Sequence, residues 1–322
     1  MAESPAITTM PAAEPAEEGV SLWQDAWHRL ARNRMAIGSA IVLAIMMILS
    51  FGAPLIAKQK YDEQNLQLGA VPPNAKYWLG TDYLGRDQFT RLLYGGRVSI
   101  TVGLVATAVS LVIGVLYGAI AGYLGGKADT VMMRIVDALY SLPLALMVIL
   151  LMVFAKDMGT NWEQFLLQKF EWKTRLGEYW NLILIFAAIG AVEWLTMARI
   201  VRAQVQALRK QEFIEAAFAL GLRKRRIILR HLLPNVLGPV VVYSTLTVPA
   251  VMLLEAFLSF LGLGVQPPMS SWGLMINDGA QAMEEHPWLL IAPGTALAMT
   301  LFCLNFLGDG LRDALDVRAS KD

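Results

Sequence analysis

Two stretches of this 322-residue sequence hold residue types that do chemistry when correctly spaced. The first, Ala121–Ala128 (AGYLGGKA), approaches the phosphate loop G-x-x-x-x-G-K-[ST]. In that loop backbone amides cradle phosphates, the lysine reaches the terminal phosphates and the hydroxyl holds Mg²⁺. Here Ala121 replaces the first glycine, Ala128 replaces the hydroxyl residue, and an apolar run rather than a strand comes before. The segment reads as a tight turn, so any ATP is bound by another polypeptide. The second stretch, residues 212–235 (EFIEAAFALGLRKRRIILRHLLPN), is polar, strongly basic and flanked by long apolar runs. Gln211–Ala219 has good helix formers, Gly221 ends that helix as a C-terminal breaker, Arg223–His231 forms a second piece, and Pro234 opens the next apolar segment. Two short helices joined at a glycine make a knob. Glu215 with Phe213, Ile214, Ala217 and Phe218 would fit a cleft on a partner; alternatively, the stretch is a basic loop that only sets orientation.

Other catalytic arrangements are not visible. His28, His231 and His286 are far apart, no metal-ligand spacing occurs, and Cys303, the single cysteine, reads as a packing residue in an apolar run. The basic run Arg223–Arg226 is better explained as a membrane-orientation anchor, able to touch anionic headgroups, than as a nucleic-acid site.

The elements that carry the knob follow from composition. The chain is 56% hydrophobic and only 16% charged, against about a quarter charged in soluble domains. The apolar residues come in runs long enough to cross about 30 Å of hydrocarbon. The spacing predicts six spans: Met35–Ala57, Val98–Leu124, about Thr130–Ala155 with a kink at Pro143, about Asn181–Val205, Leu232–Leu263 and Pro287–Gly308. Polar loops are expected at 58–96 and 264–286. A short surface helix is expected within 156–180, where Trp162, Trp172, Tyr179 and Trp180 suit an interfacial belt. Residues 1–19 lack a basic start and an apolar stretch, so they do not read as a cleavable signal. Ser21 and Gln24 form a capping box for a helix over 21–34 whose Trp23, Trp27 and Leu30 share a face, either lying on the membrane surface or simply solvated.

Six spans put both termini on one side, together with the cluster Arg209, Lys210, Arg223–Arg226 and Arg230, a side the positive-inside rule makes cytoplasmic. The opposite loop holds Lys58, Lys60, Lys76, Arg86, Arg91 and Arg97, partly offset by Asp62, Glu63, Asp82 and Asp87. Glu193, Arg199 and Glu255 fall inside spans. Each charge there costs roughly 2.5–3.5 kcal/mol on insertion scales. Glu193 and Glu255 read either as pathway or gate residues or, preferably, as a structural interhelix pair or a cytoplasm-proximal position, which suits Arg199 well; a proton relay is a third reading that three scattered charges support poorly.

Glu215-Ala216-Ala217, Gly221 and His231-x-x-Pro234-Asn235 resemble the EAA signature of ABC importer permeases. The segments 80–87 (GTDYLGRD), 91–97 (RLLYGGR), 121–126 (AGYLGG), 258–264 (LSFLGLG) and 308–316 (GDGLRDALD) are similar to the peptide-importer branch. The segments 21–26 (SLWQDA) and 197–202 (MARIVR) are most like its C-type permease subunit for oligopeptides. The similarity runs over about residues 21–318. The resemblance implies an all-α integral membrane protein with the six-helix type I ABC importer permease fold. It divides the chain into a cytoplasmic tail with an amphipathic helix (1–34), a first span and periplasmic loop (35–96), a permease core (97–310) with its coupling segment at 206–235, and a C-terminal tail (311–322). It further implies an inner-membrane location, alternating access, and coupling through Phe213, Glu215, Ala216, Ala217, Phe218, Gly221, His231 and Pro234. The implied partners are a homologous second permease, two ATP-binding subunits carrying ATP and Mg²⁺, a periplasmic or tethered peptide-binding protein, and membrane lipid. No cofactor or enzyme activity is expected in this chain. Dipeptides, nickel chelates or another small solute stay open as cargo, as does a role as a membrane anchor or signalling subunit that recruits an ATPase.

Overall fold

The computed structural model describes residues 22–57, 59–154 and 176–315. Helix α1 (Leu22–Arg32) is amphipathic, turning Ala26 inward while Trp27 stays exposed. It stops at Asn33, whose Oδ1 accepts from the backbone N–H of Met35 (3.1 Å) and Ala36 (3.2 Å) and so caps α2 (Arg34–Phe51). The short helix expected over 21–34 is α1, and the first span follows it one residue earlier than expected, at Arg34 rather than Met35; Ser21 of the capping box lies outside the described residues. The first span ends at Phe51 rather than Ala57, because Gly52 and Pro54 divert the chain into a one-turn helix, α3 (Ala53–Ile56).

Helix α4 (Gln88–Leu124) starts ten residues before the expected Val98. Asp87 is its N-cap, accepting from the backbone N–H of Thr90 at 2.9 Å and its hydroxyl at 2.6 Å. Residues 88–96, expected as loop, are its first turns. The third span is not one kinked helix. It is α5 (Gly126–Tyr140) and α6 (Leu144–Phe154), bent by 87° about residues 141–143, where Pro143 lacks an N–H and its ring disfavours a helical residue before it. Helix α7 (Leu176–Leu208) begins ahead of the expected Asn181, and most of the surface helix expected at 156–180 lies outside the described residues.

After α8 (Glu212–Ala219) and α9 (Lys224–Ile227) comes a π turn, Ile228–Leu232, leading into α10 (Leu233–Phe260). The widening has a local cause. Pro234 has no N–H for the carbonyl of Arg230, and the N–H of Leu233 instead reaches Ile228 O. Residues 264–286, expected as loop, contain a ten-residue helix, α11 (Trp272–Gln281), capped by Ser271 Oγ accepting from Leu274 N–H at 3.2 Å. Helix α12 (Trp288–Leu315) is the last element among the described residues, running past the expected end at Gly308.

Five of these helices are long and apolar enough to cross a membrane, and the bent α5–α6 pair supplies a sixth crossing if counted as one. The all-helical membrane fold expected from the sequence is thus present. Its centre is the α4–α7 pair. Gly114, Gly118 and Gly122 line one face of α4 at four-residue spacing, so the two backbones nearly touch. A Cβ on Gly114 would lie 2.6 Å from Met197 Cβ, one on Gly122 would lie 2.8 Å from Arg202 O, and one on Gly118 would overlap the carbonyl oxygen of Ala198. One end of the bundle holds α1, the α4–α5 turn, α8 and α9, and the last turns of α12, where Gly310 lies against Ala36. The other end holds residues 59–87, α11 and the start of α12, where Trp288 Nε1 reaches Thr81 O at 3.5 Å.

Candidate coupling surface and the networks behind it

Helix α8 is a knob with a buried root. Ile214 and Ala217, three residues apart, turn inward with Ile227 and Leu232. They join a cluster of Ala119 and Tyr123 from α4, Met197, Val201 and Val205 from α7, and Val236 and Val240 from α10. The opposite face is open: Phe213 is 44% and Phe218 42% exposed, and Glu215 and Ala216 are exposed beside them. The helix closes in a Schellman motif. Gly221 takes φ +71°, its N–H donates to Phe218 O (2.9 Å), and Leu222 N–H donates to Ala217 O (3.2 Å). The break expected at Gly221 therefore holds.

The predicted coupling residues separate into two groups. Phe213, Glu215, Ala216, Phe218 and Gly221 lie on or beside the exposed face. Ala217, expected to meet a partner along with Ile214, is only 4% exposed and packs against its own bundle, because i+3 spacing puts it over Ile214. His231 is half-buried in the π turn, and its carbonyl accepts from Asn235 Nδ2 at 2.6 Å. Pro234 is exposed in the first turn of α10. The second helical piece expected over Arg223–His231 is one α turn plus the π turn, with Lys224, Arg225, Arg226 and Arg230 outward. A cleft of about 530 Å³ opens between α8 and the α4–α5 turn, lined by Gly122, Gly125, Gln206, Ala207, Arg209, Lys210 and Glu215.

Two charged networks support the bundle. On the α8 side, Arg202 grips Asp129 through both carboxylate oxygens, with Gln206 Nε2 adding a third bond at 2.9 Å. Arg199 pairs with Asp137 at 2.9 Å and lies over the Tyr140 ring, an interhelix pairing that is one of the alternatives read from the sequence. At the far end, Arg91 is 3% exposed and donates to Asp82 (2.6 Å) and Asp278 of α11 (3.2 Å), while Arg86 Nε also reaches Asp82 (2.7 Å). Two cations that weakened the charge-asymmetry argument are therefore neutralised by partners.

Glu255 lies completely buried among hydroxyls. Ser99 donates to it at 3.1 Å and Ser259 at 2.7 Å, while Ser99 Oγ also accepts from Trp272 N–H at 3.1 Å. Glu255 thereby joins α4, α10 and the first turn of α11, the structural role preferred from sequence. Sequence reasoning missed the Ser99 and Ser259 partners of Glu255 and α11 itself, as well as the Gly114/Gly118/Gly122 stripe, although the stripe's spacing was readable. Among the described residues no group of three His, Cys, Asp or Glu is placed to hold a metal ion.

Comparison with known proteins fits this architecture. Residues 114–321 match the family described as binding-protein-dependent transport system inner membrane component, so the chain belongs to that family of multi-pass permeases. Residues 21–73 match the N-terminal TM domain of oligopeptide transport permease C. Among individual relatives, the chain is 47% identical to the oligopeptide transport system permease protein OppC of Haemophilus influenzae, over 93% of this chain and 89% of that one. It is 48% identical to OppC of Escherichia coli K12, over 93% and 92%, and 40% identical to OppC of Bacillus subtilis, over 100% and 98%.

Proposed function

We propose that this chain is one of two permease subunits of an ATP-driven importer, carries oligopeptides, and is worked through α8 by a separate ATP-binding subunit. The observation that carries the reading is the form of α8. It is rooted in three spans yet presents Phe213, Glu215, Ala216 and Phe218 outward. A helix held this way passes a push on its outer face to α4, α7 and α10 together. Its end of the bundle is the cytoplasmic one, which puts both termini there as well. That end carries Arg209, Lys210, Arg223–Arg226 and Arg230, whereas Arg86 and Arg91 at the other end are paired.

In this mechanism ATP closes two nucleotide-binding subunits, drawing the knobs of this chain and of a homologous second permease together, and the pathway between the permeases opens outward to cargo delivered by a binding protein. Hydrolysis resets it. Closure biases the equilibrium only through contacts that differ between the two states, and α8 supplies such contacts.

The test is a cysteine at Phe213 or Ala216, in a background without Cys303, crosslinked to the ATP-binding subunits in the assembled transporter. Crosslinking that changes with ATP is expected; an α8 that stays free of those subunits through the whole cycle sinks the reading. A second cargo reading rests on the 42% identity to the dipeptide transport system permease protein DppC of Bacillus subtilis, over 92% of this chain and 86% of that one. Competition of uptake by dipeptides against tetrapeptides separates the two.

A further inference from the structure

Beyond the docking face, one contact joins α8 to a single span. Tyr123, in the last turn of α4, is 4% exposed, and its ring stacks on that of Phe218 with centroids 5.9 Å apart and planes 13° from parallel. The Arg209 guanidinium lies 5.9 Å from the same ring. The Tyr123 hydroxyl is buried with no hydrogen-bond partner. A phenol held where its polar end is unmet is there for its ring, and the ring meets the half-exposed side chain of the knob.

What Tyr123 is attached to gives the contact a use. Helix α4 runs unbroken and without proline for 37 residues. Helix α10, which also leads away from the knob, contains Pro239 and Pro249, each of which removes a backbone hydrogen bond. At its far end α4 presents Arg91 to Asp278 and Ser99 to the first turn of α11. Of the three root helices α4 and α10 also pack on α11, and the stiffer of these two thus has the knob at one end and α11 at the other.

We propose that Tyr123 is a positioning residue that transmits displacement of α8 to α4, and through α4 to α11, by ring stacking on Phe218. The proposal rests on the reading of α8 as the docking element.

The experiment uses the assembled transporter in proteoliposomes, with radiolabelled tri-alanine as probe, and reads uptake, ATP hydrolysis and retention of the ATP-binding subunits in parallel. Tyr123→Phe, which keeps the ring and removes only an unpartnered hydroxyl, is expected to retain uptake per ATP within twofold. Tyr123→Leu, similar in apolar bulk but without a ring, is expected to hydrolyse ATP and retain its subunits while uptake per ATP falls about tenfold. Phe218→Leu tests the same contact from the open side, where folding is not at stake. Both leucines together are expected to be no worse than the poorer single variant. The proposal is overturned if Tyr123→Leu or Phe218→Leu transports with normal stoichiometry. It is equally overturned if Tyr123→Phe is as impaired as Tyr123→Leu, or if the two losses multiply. Loss of the ATP-binding subunits from Phe218→Leu with normal stoichiometry in Tyr123→Leu would leave the docking reading standing and remove this one. Absence of ATP-dependent α8 crosslinks in the parent would remove the docking reading itself.

Discussion

Ser99 on α4 and Glu255 on α10 share a hydrogen bond of 3.1 Å inside the bundle, although 156 residues separate them in sequence. Ser99 simultaneously accepts from Trp272 N–H, so the pair sets where α11 begins. Glu255→Ala would leave the hydroxyls of Ser99 and Ser259 facing a void, at about 1–3 kcal/mol for each unmet buried group. Glu255→Gln keeps an amide oxygen to accept one of them. Thermal unfolding of the detergent-purified complex is expected to rank parent above Glu255→Gln above Glu255→Ala. Equal midpoints for parent and Glu255→Ala would refute the hub.

Arg91 sits between Asp82 and Asp278. Removing one member of a buried pair costs about 3–5 kcal/mol when the other charge is left uncompensated. Arg86 still faces Asp82, and Asp278 is 38% exposed, which moves Arg91→Leu to the lower end of that range. Adding Asp278→Asn to Arg91→Leu removes the carboxylate that has lost its partner and is expected to recover part of the loss. Limited proteolysis of the purified protein reads this out, with faster cleavage of residues 59–87 in the single variant than in the double. Unchanged cleavage in Arg91→Leu would mean the pair does not hold the loop.

Small residues make opposite forecasts according to what surrounds them. A methyl on Gly118 meets the carbonyl oxygen of Ala198, whereas one on Gly238 meets nothing within 4 Å. Gly118→Ala is expected to destabilise by about 1–3 kcal/mol through overpacking. Gly238→Ala, inside α10, is expected to be neutral or to stabilise by about 0.5–1 kcal/mol. Unfolding midpoints compare the two directly, and similar behaviour would contradict the close α4–α7 approach.

Gly221 stands in open space but at φ +71°, so its constraint is conformational rather than steric. Gly221→Ala is expected to cost about 1 kcal/mol and to leave most uptake. Gly221→Pro cannot reach that φ and loses the N–H bond to Phe218 O, and it is expected to abolish uptake while ATP hydrolysis continues. Membrane abundance on immunoblots separates uncoupling from misfolding, and full uptake by the proline variant would count against the coupling role.

Much of this was legible in the sequence, and the failures share a cause. Apolar runs gave the spans, and the break at Gly221 followed from helix chemistry. The start of α4 was misplaced because Arg91 and Arg97 looked like loop charges, although Asp87 three residues before Thr90 was a readable cap. Helix α11 was hidden because its ten residues include Gly273 and Gly279, which admit close neighbours rather than ending the helix. Ala217 was assigned outward because composition does not say which side of an eight-residue helix is the root. The partners of Glu255 and Arg91 lie too far along the chain for any local pattern to supply them.

The separation of Arg91 from Asp278 also orders biogenesis. The guanidinium is made 187 residues before its second carboxylate, with α7, α8 and α10 synthesised in between. Until α11 is made, this end of α4 has Asp82 as the carboxylate partner for a charge that the folded bundle buries. The Arg91–Asp278 link at this end of the bundle therefore closes only after α4 to α10 have been synthesised.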